Sequence, residues 1–88
     1  MIERTAVLGS PVGLHARPAK VFSRAVAKAG FPVSITKGGS SANAASILGV
    51  LSLGIGCGEE VTLSTEDDLR LEELTRLAEL LTTNLDEA

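Results

Sequence analysis

The chain has 88 residues, a formal charge of −3 and an apolar content of 44%, with Phe22 and Phe31 as its only aromatic residues. At this length it forms a single domain over residues 1–88, around one modest core that must be aliphatic, drawn from Val, Leu, Ile and Ala. One cysteine, Cys57, excludes an internal disulfide and a cysteine-rich metal site, and no apolar run reaches the ~18 residues of a membrane span.

Residues 2–8, IERTAVL, predict a short strand that ends at Gly9–Ser10–Pro11. No long hydrophobic stretch accompanies this start, so no signal peptide is expected and a cytoplasmic location is the default. Residues 16–29, ARPAKVFSRAVAKA, predict a helix: Ala19, Phe22, Val26 and Ala29 share one face, and Lys20, Arg24 and Lys28 make a polar stripe at steps of four. Gly30 is its expected stop, and Lys28 suits the negative end. PVSITK, residues 32–37, alternates as a strand, Gly38–Gly39 signals a hairpin, and SSANA returns antiparallel. A short helix over roughly residues 47–53 follows Ser46 as its cap. The glycines at 54, 56 and 58 mark a turn, and EEVTLS predicts the last strand with Val61 and Leu63 inward. Leu74, Leu77, Ala78, Leu81 and Leu85 then draw one apolar stripe, with Thr65 and Asp68 spaced as a capping box. Strand, helix, strand, strand, helix, strand, helix is an α+β order. A four-stranded antiparallel sheet with three helices on one face buries one stripe per element.

The net charge conceals an asymmetry. Residues 1–58 sum to +5 and residues 59–88 to −8, because no acid occurs between Glu3 and Glu59. The first part therefore offers a basic or neutral surface to a partner. With so few cations and almost no aromatic residues it makes a poor nucleic-acid platform, and an acidic protein patch or a small anion fits better.

His15, the only histidine, stands at the predicted start of the first helix. Pro18 belongs in the first helical turn, where amides lack intrahelical partners. The free amides of Ala16 and Arg17, the positive helix end and the Arg17 guanidinium would all meet an anion carried on His15. A solvated histidine at a helix start is the other reading these residues leave open. A metal site would need more ligands than one histidine and one distant cysteine. Hydrolytic nucleophile chemistry would need an orienting acid, which residues 4–58 do not contain. No phosphate-binding loop of the Walker type is present either.

The stretch GLHARPA, residues 13–19, resembles the active-site signature of the HPr family, the histidine-containing phosphocarriers of the bacterial phosphoenolpyruvate:sugar phosphotransferase system. SANAASILGVLSLGIGCGEEVTL, residues 41–63, resembles the segment of that family that carries a regulatory serine and the loop before the last strand. The resemblance implies an open-faced β-sandwich of order βαββαβα. It implies that His15 accepts a phosphoryl group through Nδ1 from enzyme I and passes it to enzyme IIA components for sugar uptake, with Arg17 and the backbone at Ala16 steadying the group. It further implies a monomer that needs no cofactor or metal and has no independent turnover of a small molecule.

Ser46 as a plain helix cap is a complete structural account. The resemblance adds phosphorylation by an HPr kinase/phosphorylase and reading of the phosphoserine by a transcriptional regulator. Ala45 and Ser40 depart from relatives that carry lysine there, which thins the basic surround of Ser46. Leu48 and Leu51, rimmed by Arg17, Lys20 and Arg24 and followed by Gly54, describe a docking face; the alternative is that both leucines are simply buried. Gly54 and Gly56 are expected to end the short helix and to let a neighbour approach closely. Two other functions remain: a carrier in a regulatory or nitrogen-related phosphotransfer chain, and a regulatory paralogue acting through protein binding alone.

Overall fold

The computed structural model describes residues 1–85. Seven elements follow in the order β1 (Ile2–Val7), α1 (Ala16–Ala29), β2 (Ser34–Lys37), β3 (Ser40–Asn43), α2 (Ile47–Ser52), β4 (Glu60–Thr65) and α3 (Leu71–Thr82). The strands form one antiparallel sheet in the order β1-β4-β2-β3, with the three helices packed on one face.

The period-two pattern of the strands sorts the two faces of the sheet. Ala6 pairs with Val61, and Ile35 with Leu63, and all four side chains point into the core. Thr5, Thr62 and Thr36 occupy the intervening register positions and form a polar outer face, where Thr36 and Ser41 share a hydroxyl hydrogen bond of 2.8 Å. Gly38, at φ 58°, makes the tight return between β2 and β3 that joins Lys37 to Ser40.

From α1 the core takes Ala19, Phe22 and Val26, from α2 Val50, and from α3 Leu74, Leu77, Ala78 and Leu81. The helical spacing of these residues is what turns them to one side. Removing the fully buried Phe22 side chain would cost about 3–5 kcal/mol. Gly30, at φ 81°, ends α1 in the left-handed conformation.

Tertiary contacts move several expected boundaries. β1 stops at Val7, and Leu8 is buried beyond it. Val33 is buried ahead of β2 rather than within it. Glu59 lies before β4, its side chain turned back to the preceding loop. The Thr65–Asp68 capping box does not form, because α3 begins later with Arg70 at its N-cap. Thr65 Oγ1 accepts instead from the Asp67 amide, and Asp67 Oδ1 from Leu69. The Arg70 guanidinium ties the turn to the helix through Asp67 (3.1 Å) and Glu73 (2.9 Å), and stacks 5.4 Å from the Phe31 ring centroid. Both carboxylates raise the Arg70 pKa, Glu73 first.

Leu85 is buried although α3 ends at Thr82, since its amide donates to the buried Ser10 Oγ at 3.0 Å. Beside it, Gly9 donates to Leu81 O at 2.9 Å, and a side chain at Gly9 would collide with the Thr82 carbonyl. Among the described residues no helix is long and apolar enough to cross a membrane.

Candidate functional site

The approach to α1 is held from behind. Gly13 donates to Ser10 O (3.0 Å) and closes a turn, at φ 83°, where a side chain would be strained. A Cβ there would also lie 3.0 Å from the Ile55 carbonyl oxygen, so glycine is needed for conformation and for space. Leu14 is buried, and its amide donates to Ile55 O at 2.8 Å. The loop after α2 is thus the floor on which residues 13 and 14 rest.

His15 is extended, at φ −98° and ψ −163°, and is the N-cap of α1. Its carbonyl accepts from the Ala19 amide at 2.9 Å, while its side chain is exposed and makes no cap hydrogen bond. Pro18 is buried in the first turn and has no amide hydrogen to satisfy. The amides of Ala16 and Arg17 donate to no backbone acceptor in the preceding loop. The first turn contains no acid. Arg17 is exposed and, among the described residues, has no side-chain hydrogen bond or ion pair. Two open amides, the positive helix end and an uncommitted guanidinium therefore lie within two residues of a histidine whose ring, among the described residues, makes no hydrogen bond or ion pair.

The second expected site also starts at a helix cap. Ser46 Oγ accepts from the Gly49 amide at 3.0 Å, and its carbonyl accepts from Val50 at 2.9 Å. A Cβ on Gly49 would come 3.2 Å from that hydroxyl oxygen, so the glycine leaves the cap unobstructed. α2 packs on α1. Its leucines divide: Leu48 is 80% exposed, whereas Leu51 is half-buried against the core. Ile47, the neighbour of Leu48, is also exposed, at 37%, and so is Val12 in the loop before α1, at 62%. Sequence reasoning passed over both. An apolar residue just after a helix cap, or just before a buried Gly–Leu pair, has no periodicity to announce its exposure.

Lys20 and Arg24 are exposed on α1, four residues apart, and neither makes an ion pair among the described residues. Lys37, by contrast, is committed: its Nζ donates to Gly54 O at 2.8 Å and pairs with Glu59 Oε1 at 3.0 Å. The same Glu59 oxygen accepts from the Gly56 amide at 2.5 Å. The Gly56 amide, and after it Lys37, hold the Glu59 carboxyl below its usual pKa. Gly54 adopts φ 60°, but a Cβ there would meet nothing within 4 Å. Of the close approach expected at Gly54 and Gly56, only Gly56 shows one, since a Cβ there would lie 3.0 Å from Glu59 Oε1; the tight approaches to backbone fall at Gly9 and Gly13. Cys57 is exposed in this loop. No group of three or more potential metal ligands converges among the described residues.

Comparison with known proteins gives a consistent result. The family model described as "PTS HPr component phosphorylation site" matches residues 2–83. The phosphocarrier protein HPr of Streptomyces coelicolor is 47% identical over 88 residues, covering 99% of this chain and 95% of that protein. The crystal structure of HPr-C-His from Thermoanaerobacter tengcongensis has a TM-score of 0.85 at 35% identity and covers 100% of this chain and 99% of its own. That of a phosphocarrier protein HPr from Bacillus anthracis has a TM-score of 0.83 at 34% identity, covering 91% and 95% respectively.

Proposed function

The chain belongs to the HPr family of phosphocarriers of the bacterial phosphotransferase system, and on that premise we propose that His15 is the residue that carries the phosphoryl group. As a member of the family the protein is a phosphoryl carrier, receiving the group from enzyme I and handing it to enzyme IIA components. The observation that supports His15 is its place at the N-cap of α1, with its ring uncommitted and the Ala16 and Arg17 amides open beside it.

The transfer requires little of the carrier beyond position and charge. A lone pair on His15 Nδ1 attacks the phosphorus of the donor's phosphohistidine, and a new P–N bond forms as the donor's P–N bond breaks in line. The electron pair returns to the donor imidazole. Negative charge on the equatorial oxygens faces the Ala16 and Arg17 amides, the helix end and the Arg17 guanidinium. The same contacts serve the reverse geometry, when an enzyme IIA nucleophile takes the group.

Partner recognition falls to Lys20 and Arg24, with Leu48, the exposed part of Leu51 and the backbone at Gly54. Uncommitted cations steer an acidic partner, and the exposed leucine gives it an apolar anchor. Ser46 is a regulatory phosphorylation site, addressed by an HPr kinase/phosphorylase and read by a transcriptional regulator. Its place at a helix start supports this, since a phosphate there meets free amides. The whole of residues 1–88 works as one carrier domain in the cytoplasm.

Incubation with radiolabelled phosphoenolpyruvate and enzyme I is expected to place one acid-labile phosphate on the protein. His15→Ala is expected to abolish it, and equal labelling of that variant would refute the assignment.

A further inference from the structure

We infer that the Lys37–Glu59 pair positions the phosphoryl-accepting site by clamping the loop of residues 54–59 on which His15's approach segment rests. This inference rests on His15 being the acceptor.

The clamp is built from three side-chain contacts that converge on one turn. Glu59 Oε1 accepts both from the Gly56 amide at 2.5 Å and from Lys37 Nζ at 3.0 Å. The same Nζ donates to Gly54 O at 2.8 Å. A lysine at the end of β2 thereby holds the first residue of the loop, and a glutamate just before β4 holds its middle. The turn is closed by the Glu59 amide donating to Gly56 O at 3.1 Å.

The loop needs an external tie because of its composition. Gly54, Gly56 and Gly58 alternate in it, with φ 60° at Gly54 and 82° at Gly58. Such a backbone loses more conformational entropy on ordering than one built of other residues, and by itself holds no single shape. Lys37 and Glu59 add side-chain constraint to the backbone hydrogen bonds of the loop.

The loop is attached to both ends of the segment that precedes the acceptor. Leu8 donates to Glu59 O at 3.0 Å and Gly58 donates to Leu8 O at 2.9 Å. At the other end Leu14 donates to Ile55 O at 2.8 Å, and Gly13 lies against the same carbonyl. A shift of Ile55 therefore moves Leu14, the residue before His15, and with it the start of α1. Lys37 and Glu59 are partly exposed, with side-chain accessibilities of 29% and 41%, so their pairing adds little to global stability. Their weight falls on geometry.

Glu59→Ala, which removes both Glu59 contacts, is expected to lower kcat for phosphorylation by enzyme I about tenfold, the scale of a sub-ångström to ångström misplacement of reacting groups. The KM for the carrier should stay within about twofold, since Lys20, Arg24 and Leu48 are untouched and Lys37 still holds the Gly54 carbonyl. Backbone amide NMR resonances of Leu14, Ala16 and Arg17 should shift in the same variant. Glu59→Gln keeps an acceptor oxygen for Gly56 and Lys37, and is expected to restore most of the rate and return those resonances toward the parent. A merely structural role would lower the melting temperature while leaving kcat at 25 °C and the Leu14–Arg17 resonances unchanged, and that result overturns the inference. Should Glu59→Ala fail to fold, Lys37→Met, which leaves the Gly56–Glu59 bond in place, carries the test: a smaller kcat loss with the same shifts supports the clamp, and parent values overturn it. His15→Ala run in parallel separates the two assignments. Labelling of that variant removes the acceptor reading, whereas an unlabelled His15→Ala with a fully active Glu59→Ala removes only the clamp.

Discussion

Replacing Ser46 in two ways separates its service to the fold from its service to phosphotransfer. Its Oγ accepts the Gly49 amide at 3.0 Å and caps a helix of only six residues. Ser46→Ala loses that acceptor and leaves a partly buried amide without its partner, a cost of about 1 kcal/mol. For a domain of this size, that corresponds to a fall in Tm of about 4–8 °C. Ser46→Asp retains a carboxylate oxygen for the same amide and adds negative charge at the positive helix end, so its Tm should remain within a few degrees of the parent. The charge nevertheless stands on the helix that packs against α1, facing a partner whose surface must be acidic to suit Lys20 and Arg24. A repulsion of about 1.4 kcal/mol in the encounter complex is a tenfold loss in rate, and like charges across an interface can cost more. The assay is single-turnover phosphorylation by phospho-enzyme I for parent, Ser46→Ala and Ser46→Asp, with thermal melts of each. The expected result is a melt shifted only for alanine and a rate lowered only for aspartate. An aspartate variant that melts as the parent and is phosphorylated at the parent rate would refute the regulatory role and leave Ser46 as a cap.

Arg24→Glu should slow association with enzyme I about tenfold at low salt, with little change in dissociation, as measured by stopped-flow mixing. Association rates that do not change across a salt series would contradict an electrostatic encounter. Gly13→Ala should destabilise the protein by about 1–2 kcal/mol through its φ of 83° alone, and further through contact with Ile55, as read by urea unfolding. The Gly56 amide and Lys37 hold the Glu59 carboxyl, and Arg70 the Glu73 carboxyl, below the ordinary carboxylate range in the folded state. Their contribution is complete above the unfolded pKa and is lost as pH falls through the depressed folded values, so stability should decline modestly on the acid side of the ordinary carboxylate range. Glu59→Gln should flatten that acid limb, and an unchanged limb would show that the ion pair contributes nothing.

The elements themselves were readable from neighbouring residues. The Ala19–Phe22–Val26 spacing, Pro18 in the first turn and Gly30 at the end define α1 within its own sequence, because helix periodicity and capping act over one or two turns. For the same reason the helix starts at His15 and Ser46 are legible from their neighbours. The Gly38–Gly39 hairpin and the inward Val61 and Leu63 are equally local, since a tight turn and a period of two need no distant partner.

Where the chain meets itself, those signals gave out. Thr65 and Asp68 have capping-box spacing, yet α3 begins at Leu71 because Arg70 can bridge Asp67 and Glu73 while lying over Phe31, a residue from another part of the chain. Leu48 and Leu51 share a spacing, but only the packing of α2 on the core decides that one is exposed and the other half-covered. Gly9 looks like any turn glycine until the end of α3 is laid against it. The partners of Lys37, Glu59 and Leu14 are set by how β2, β4 and the loop before α1 are brought side by side. The elements, their order and the histidine at a helix start are legible along the chain, because propensity and periodicity are properties of adjacent residues. What holds that histidine's approach segment in place is legible only in the folded chain, because a hydrogen bond between distant residues exists only once sheet register and helix packing have brought its donor and acceptor within about 3 Å.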